Sequence, residues 1–509
     1  MKTNRPNVLL LFSDQHNASV TGFENHPDVL TPNLDRLAAE GVRFSRAHCQ
    51  DAVCVPSRAS LFSGLYPRSL GCLDNTNLGP IMNEVTSLPT AFQANGYRTA
   101  TFGKRHLFYG CDRGWDIQAS HLVKESPKDN YVDWVKAQGQ GEAFDLDWAA
   151  EFGRGAEGTP SYEKEIPYAL MSVRESKLPE DMTMEAWTRR RTIDFIRSRQ
   201  SGDAPFFCFS SFYRPHQPYT PLPGYYARFD RSHWGRGRRA GDGIAMPASL
   251  RQPIEELPPM FQEQSRGSNR IWRLDLARQD EQIYRDFITA YYALVEEIDD
   301  HVGAILRALA EAGESENTIV IYASDHGDFV GAHGMVEKCS SGHNVYEETL
   351  RIPLIFRWPE GLKSPRTCDG LAELVDVYPT LLELCQIKAP ETKHPLQGRS
   401  LAGALRSGEA IGRDYGVSEN WAQSCVFNER YKLGVWQKPA SEKELDYRAF
   451  GDMLFDRHED PLELRNLAGR SDYQKIETDL RGYLASWRAR HPSPQLEPGK
   501  VPLLRAHGA

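Results

Sequence analysis

The residues of this sequence that could do chemistry stand where buried elements should end. Asp51-Ala52-Val53-Cys54-Val55-Pro56-Ser57-Arg58 leads into Ala59–Phe62 and stops at Gly64. This is a loop entering a helix, with Pro56 expected at the first helical position. Cys54 would then lie at the helix N-terminus, where unpaired N–H groups and the dipole favour an anion. An isolated cysteine in such a place is ordinarily a small buried hydrophobe, so the neighbours must decide. Asp14-Gln15 follows the apolar run Val8–Phe12, and Asp325-His326 follows Thr318–Ala323. One Asp after a strand is ordinarily a turn or cap residue, whereas two matched pairs point to a metal. Lys104 and His106 follow Arg98–Phe102, His216 follows Pro205–Phe212, and Lys338 precedes Pro353–Phe356.

Short, wholly apolar runs are the pattern of strands covered on both faces of a parallel sheet. In open α/β sheets ligands bind beyond the carboxyl ends of the strands, which is where these titratable groups fall. Thr31–Ala38 and Glu296–Leu309 read as amphipathic helices. From about Ser407 the segments alternate, as in Tyr431–Trp436 and Met453–Asp456, and a helix follows over Tyr473–Ala489. The expected fold is α/β: a large, mostly parallel sheet sandwiched by helices over 1–405, with a small α+β C-terminal subdomain over 406–509. The piece from 111 to 200 is polar and matches no motif. The stretch from 228 to 285 carries Arg236, Arg238, Arg239, Arg266, Arg270 and Arg273. It reads as a solvated loop, as a subunit contact that would allow a homo-oligomer, or as an anchor for an anionic substrate.

A chain of 509 residues can bury a large core, and a net charge of −9 argues against a general nucleic-acid binder. No stretch has membrane-spanning length and no secretory signal is visible. Nine scattered cysteines without metal-type spacing suit reduced thiols, so the expected location is cytoplasmic.

Cys54-x-Pro56-Ser57-Arg58 resembles the maturation motif of the formylglycine-dependent (type I) sulfatases of the alkaline phosphatase superfamily. Its four fixed residues arise by chance in about one in a few hundred chains this long. Thr31–Leu37 with Gly41–Phe44, Gly103-Lys104-Arg105-His106-Leu107, Pro215-His216-Gln217-Pro218, Lys338 and Leu454–Leu467 are similar to further segments of that family. The likeness spans residues 7 to about 360, and 454 to 467. It implies a maturation enzyme that oxidises Cys54 to formylglycine, whose hydrate attacks a sulfate ester of a saccharide or small molecule. Asp14, Gln15, Asp325 and His326 would hold one divalent cation that also contacts the matured Cys54. Asp325 would accept a proton from the attacking hydroxyl, His216 would donate one to the leaving group, and His106 would take the proton that expels sulfate. Lys104 and Lys338 would stabilise the sulfuryl oxygens, Arg58 would position the hydrate, and Asn75 would line the sulfate pocket.

The sequence departs from the commonest family pattern at Gln15, where a second Asp is usual, and at His326, where Asn is usual. The resemblance favours calcium, while an imidazole donor makes manganese an alternative. The same two pairs resemble the phosphonate monoester hydrolases, so a phosphonate monoester or phosphodiester hydrolase is the second reading. Those relatives tend to place hydroxyl side chains where Lys104 and His106 stand, which favours sulfate. A catalytically silent binding protein would require that Cys54 is never oxidised.

Overall fold

The computed structural model describes residues 5–75, 79, 81–107, 113–122, 125–152, 173–229, 243–258, 261–262, 281–338, 345–362, 365–420, 423–436 and 451–494. Arg236, Arg238, Arg239, Arg266, Arg270 and Arg273 lie outside them, as do parts of the polar piece from 111 to 200.

The strands in chain order are β1 Asn7–Asp14, β2 Val42–Phe44, β3 Ala47–His48, β4 Arg98–Gly103, β5 Ile117–Ser120, β6 Phe206–Pro215 and β7 Thr318–Ser324. They continue with β8 Leu354–Arg357, β9 Arg366–Cys368, β10 Ala372–Glu373, β11 Gly416–Glu419, β12 Gln423–Phe427, β13 Tyr431–Trp436 and β14 Met453–Asp456. Eight of them form the main sheet in the order β5-β4-β6-β1-β7-β8-β2-β9. Within it only β8 pairs antiparallel with both of its neighbours, and every other pairing is parallel.

The apolar runs explain the layering. Successive side chains of a strand point to opposite faces, so β1 sends Val8, Leu10 and Phe12 into one core and Leu9 and Leu11 into another. On the first side they meet Leu61 and Phe62 of the helix Cys54–Ser63, Phe92 of Leu88–Ala94 and Leu381 of Val377–Leu384. On the second they meet Leu34 of Pro32–Glu40, Phe195 of Met184–Arg197 and Val302 of Glu281–Glu311. Each such side chain contributes about 1.5–3 kcal/mol by burial, and Leu10→Ala would cost roughly 2–5 kcal/mol.

Register aligns the carboxyl ends. Gly103 pairs with Ser211, Pro215 with Asp14, and Ser13 with Ser324. The contiguous strands β4, β6, β1 and β7 therefore end together, and so do the residues that follow them. A second sheet, β11-β12-β13-β14, is antiparallel. The helix Gln474–Arg490 packs on it through Leu480, Leu484 and Trp487.

Two expectations shift. The helix at the cysteine starts at Cys54, so Pro56 is its third residue and not its first. Pro56 is tolerated there because first-turn N–H groups have no intrahelical partner to lose. Among the described residues the long helix runs from Glu281, fifteen residues before the apolar stripe read from the sequence, with Tyr284, Phe287 and Ile288 buried on it.

Candidate active site

At the shared carboxyl edge, Asp14, Cys54, Asp325 and His326 each offer one donor atom, and these four atoms lie within 4.8 Å of one another. All four side chains are buried. Two carboxylates cannot sit together in a dry interior without compensation, and Arg58 supplies it. Its Nε donates to Asp325 Oδ2 at 2.7 Å and its Nη2 to Asp14 Oδ2 at 2.9 Å. Its Nη1 donates to the Lys104 carbonyl at 2.8 Å and to Ser211 Oγ at 3.1 Å. Every guanidinium nitrogen is thus spent on the protein, and the rigid fork fixes both carboxylates. Ser57, one residue earlier, donates to the Asp325 carbonyl at 2.6 Å.

His326 donates from Nδ1 to the Gly327 carbonyl at 2.8 Å, which leaves Nε2 facing Cys54 Sγ at 3.2 Å. Burial, with Lys338 adding, pulls His326 down to about 3, so its ring is neutral and offers a lone pair. Burial and the Asp14 charge push Asp325 up to about 6. Burial also works to raise Asp14, but Lys104, His216 and Arg58 outweigh it and hold this carboxyl well below its ordinary value. Burial and Asp14 push the Cys54 thiol up to about 12. Two carboxylate oxygens and an imidazole lone pair fit a divalent cation.

Gln15 adopts φ 66°, a left-handed conformation uncommon for a residue with a side chain. Its N–H donates to Asp325 Oδ1 at 3.0 Å, and its Nε2 to Asp328 Oδ2 at 2.6 Å. Its Oε1 accepts from Lys338 Nζ at 2.7 Å. Lys338 Nζ also lies 3.1 Å from His216 Nε2. Since His216 Nδ1 donates to the Gln217 carbonyl at 2.9 Å, its Nε2 accepts from the ammonium. Burial, Lys338 and Lys104 hold His216 well below its ordinary value.

Lys104 Nζ lies 2.8 Å from Asp14 Oδ2 and 4.0 Å from the centroid of the Tyr213 ring. The turn that delivers it needs Gly103, at φ 92°, where a Cβ would stand 2.0 Å from the Ser211 carbonyl oxygen. His106, at φ 50°, is tied by its N–H to Glu125 Oε1 at 2.9 Å. Burial and Lys104 hold its imidazole well below the ordinary value. Asn75 Oδ1 accepts from Val55 N at 2.9 Å, at the start of the Cys54 helix.

That last bond revises the role expected of the helix end. Val55 N is taken by Asn75, Pro56 has no N–H, and Ser57 N donates to the Val53 carbonyl at 3.1 Å. An anion here meets lysine side chains and few free backbone donors. The structure brings together Asp14, Gln15, Cys54, Arg58, Lys104, His216, Asp325, His326 and Lys338, with Asn75 and His106 alongside. Sequence reasoning missed Tyr213, Ser211 and Asp328, which touch those residues. It also missed His121, which is buried just beyond the carboxyl end of β5. Ile117–Ser120 is too short and polar a run to read as a strand.

The family model described as Sulfatase matches residues 6–387, and one described as N-sulphoglucosamine sulphohydrolase, C-terminal, matches residues 331–490. An arylsulfatase of Clostridium perfringens is 27% identical over 503 residues, covering 94% of this chain and 94% of its own. An N-acetylglucosamine-6-O-sulfatase of Bacteroides thetaiotaomicron is 23% identical over 535 residues, covering 94% of this chain and 85% of its own. Among solved structures, the phosphonate monoester hydrolase of Agrobacterium radiobacter shares the fold. Its TM-score is 0.75 at 24% identity, and 96% of each chain is covered.

Proposed function

This chain belongs to the sulfatase family of the alkaline phosphatase superfamily, and from that premise we propose that it hydrolyses a sulfate ester with a formylglycine made from Cys54. The observation that carries the reading is the position of Cys54. It shares one buried donor cluster with Asp14, Asp325 and His326, and Lys104 and Lys338 stand beside that cluster. A thiol pushed up to about 12 is protonated at neutral pH and is a poor nucleophile as it stands. Oxidised to the aldehyde and hydrated, the same position would supply one hydroxyl to attack sulfur and a second to release sulfate.

A cation held by Asp14, Asp325 and His326, with Gln15 as the neutral donor, would act as a Lewis acid and lower the pKa of a bound hydroxyl. Calcium is the family expectation, and the His326 nitrogen supports manganese as the alternative. The remaining work falls to the chain. Asp325, in the same buried donor cluster as Cys54, is the acceptor for the proton of the attacking hydroxyl. Arg58 acts through the two carboxylates it fixes, because its nitrogens are engaged there. Lys104 and Lys338 put two ammonium groups beside the transferred group. The leaving-group proton comes from the Lys338–His216 pair, in which Lys338 holds the proton and Nε2 of His216 accepts it. His106, neutral and held by Glu125, is the base for releasing sulfate. A sulfated saccharide is the substrate class, in keeping with the N-acetylglucosamine-6-O-sulfatase relative.

The test is maturation. Conversion of Cys54 to the aldehyde lowers intact mass by roughly eighteen units. Turnover of an aryl sulfate should rise in proportion to that fraction when a maturing enzyme is co-expressed. Cys54→Ala should lose on the order of 10⁴-fold or more in kcat while still binding its cation. A Cys54→Ala protein that kept most of its turnover would end the proposal. A tenfold preference in kcat/KM for a phenyl phosphonate over the sulfate would replace it with the phosphonate reading.

A further inference from the structure

The Lys104 ammonium has an aromatic face against it. Tyr213 stands near the carboxyl end of the strand β6, three residues before His216. Its ring centroid stands 4.0 Å from Lys104 Nζ. The ring meets His216 edge-on at 5.0 Å and Trp148 edge-on at 4.7 Å, with interplanar angles of 76° and 83°. Tyr213 is only 7% exposed and Lys104 4%. The ammonium therefore faces the negative face of a ring held from two sides, in a desolvated place where that attraction is strongest. Its other close partner, Asp14 Oδ2, is shared with Arg58 Nη2 at 2.9 Å. A carboxylate divided between two cations holds each less firmly, whereas the ring is not divided.

We propose that Tyr213 is a positioning residue for Lys104. Its π face keeps the ammonium within the buried cluster, where it meets the sulfuryl oxygens. The phenol oxygen is not needed for this. The role rests on the sulfate reading of the site. It predicts that Tyr213 acts on anion binding and turnover only through Lys104, which a purely structural tyrosine would not do.

The experiment is a double-mutant cycle on the matured, cation-loaded enzyme, read twice. The first readout is the Kd of inorganic sulfate by calorimetry, and the second is kcat/KM for 4-nitrophenyl sulfate. Tyr213→Leu should weaken both by about thirtyfold, the equivalent of a desolvated cation–π contact. Tyr213→Phe should recover to within about threefold of the parent. In a Lys104→Met background, adding Tyr213→Leu should cost less than about threefold more, since the contact is already gone. Pentafluorophenylalanine at 213 keeps the ring and its packing but reverses its quadrupole, so it should behave like Tyr213→Leu. It also decides the matter if the leucine variant does not fold. The same thirtyfold loss with and without Lys104, or a phenylalanine variant as damaged as the leucine one, overturns the assignment. A matured parent that hydrolyses no sulfate ester refutes the function proposed above, while the sulfate Kd cycle still judges Tyr213.

Discussion

Two of the clusters of buried charge among the described residues are built to opposite ends. Where the second sheet meets the short helix Glu347–Leu350, Lys432 Nζ stands 2.7 Å from both Glu347 Oε1 and Glu463 Oε1. Arg457 Nη1 lies 2.8 Å from Glu347 Oε1, and His48 Nε2 lies 3.2 Å from Glu347 Oε2. Burial holds His48 neutral, so two carboxylates meet two cations and the cluster is closed. At the carboxyl edge of the main sheet, Asp14, Asp325 and, across the Gln15 amide, Asp328 stand among Arg58, Lys104 and Lys338. There a compact donor set is already assembled around Cys54. Positive φ occurs in both, at Glu463 (54°) in the first cluster and at several residues of the second. Gln15, His106, Val330 and Glu337 all have positive φ between 48° and 66° in the segments that build the site. Val330 is β-branched, for which that region is a genuine outlier. Charges paired only with one another glue two layers together. A compact donor set with two lysines beside it is the arrangement that a bound cation and an anionic substrate would complete.

Breaking each cluster should expose the difference most strongly. Lys432→Met leaves Glu347 and Glu463 facing each other and should cost about 3–5 kcal/mol of stability, read as a lower denaturation midpoint. While folded, the variant should keep kcat/KM within about twofold, because the cluster touches no reacting group. Arg58→Met should cost a similar amount in metal-free protein and also abolish turnover. A divalent cation should stabilise Lys432→Met only as much as the parent, whose site it keeps, and Arg58→Met by more, through the released carboxylates. Equal rescue of both would erase the distinction. Burial works to raise Glu347, but Lys432, His48 and Arg457 outweigh it and hold it low. Glu347's contribution is therefore full above about pH 4.5 and is lost as pH falls through its depressed value, while Glu463, raised by burial, opposes it.

A smaller, graded effect sharpens the contrast. Asp325 has its pKa raised to about 6 by burial and by Asp14, so it holds a proton below that pH, and a cation must displace it. Cation affinity should fall about tenfold per unit below pH 6 and be flat above it. His326, at about 3, and Asp14, held low, add no slope there. Calorimetric titration with manganese or calcium between pH 5 and 8 measures this. A slope near two, or none, would show that other groups set the affinity.

How much of this was legible beforehand follows from what each residue does. β1, β6 and β7 announce themselves because both faces are covered and their runs are largely apolar, β4 less so because threonines interrupt it, and the Asp pairs after β1 and β7 mark the site edge. The reversed β8 gives no such sign, since strand direction leaves no trace in a run like Leu354–Arg357. Arg58 is marked by the motif, but that its fork spans both carboxylates is a tertiary fact. Lys432 reads as one residue of an alternating strand, because the glutamates that justify burying it lie 85 positions before and 31 after. Tyr213 sits in a run of aromatics where nothing separates the ring on Lys104 from those in the core. Chemistry carried at strand ends is local and can be read. Charge compensation and ring placement are long-range and cannot.

The smallest expected effect separates two roles of one residue. Asn75 Oδ1 accepts from Val55 N at 2.9 Å, in the first turn of the Cys54 helix, where no side chain of the N-cap residue Val53 can serve. By itself that bond makes Asn75 a distant helix cap, worth about 0.5–2 kcal/mol. The family likeness makes it a donor to the sulfuryl group through Nδ2, the other end of the same amide. Asn75→Ala removes both functions, so it should lower stability by about 1 kcal/mol and raise KM. Asn75→Asp keeps an acceptor for Val55 N, and its charge is favourable at a helix N-terminus. Its stability should therefore equal or exceed that of the parent. It loses both amide donors, however, and sets a negative charge beside an anion. Its KM for an aryl sulfate should rise by tenfold or more, about 1.4 kcal/mol of lost binding, and more than that of Asn75→Ala. If Asn75→Asp instead binds substrate like the parent, Asn75 is only the cap. The positive edge of the site is then supplied without it, by Lys104 and Lys338.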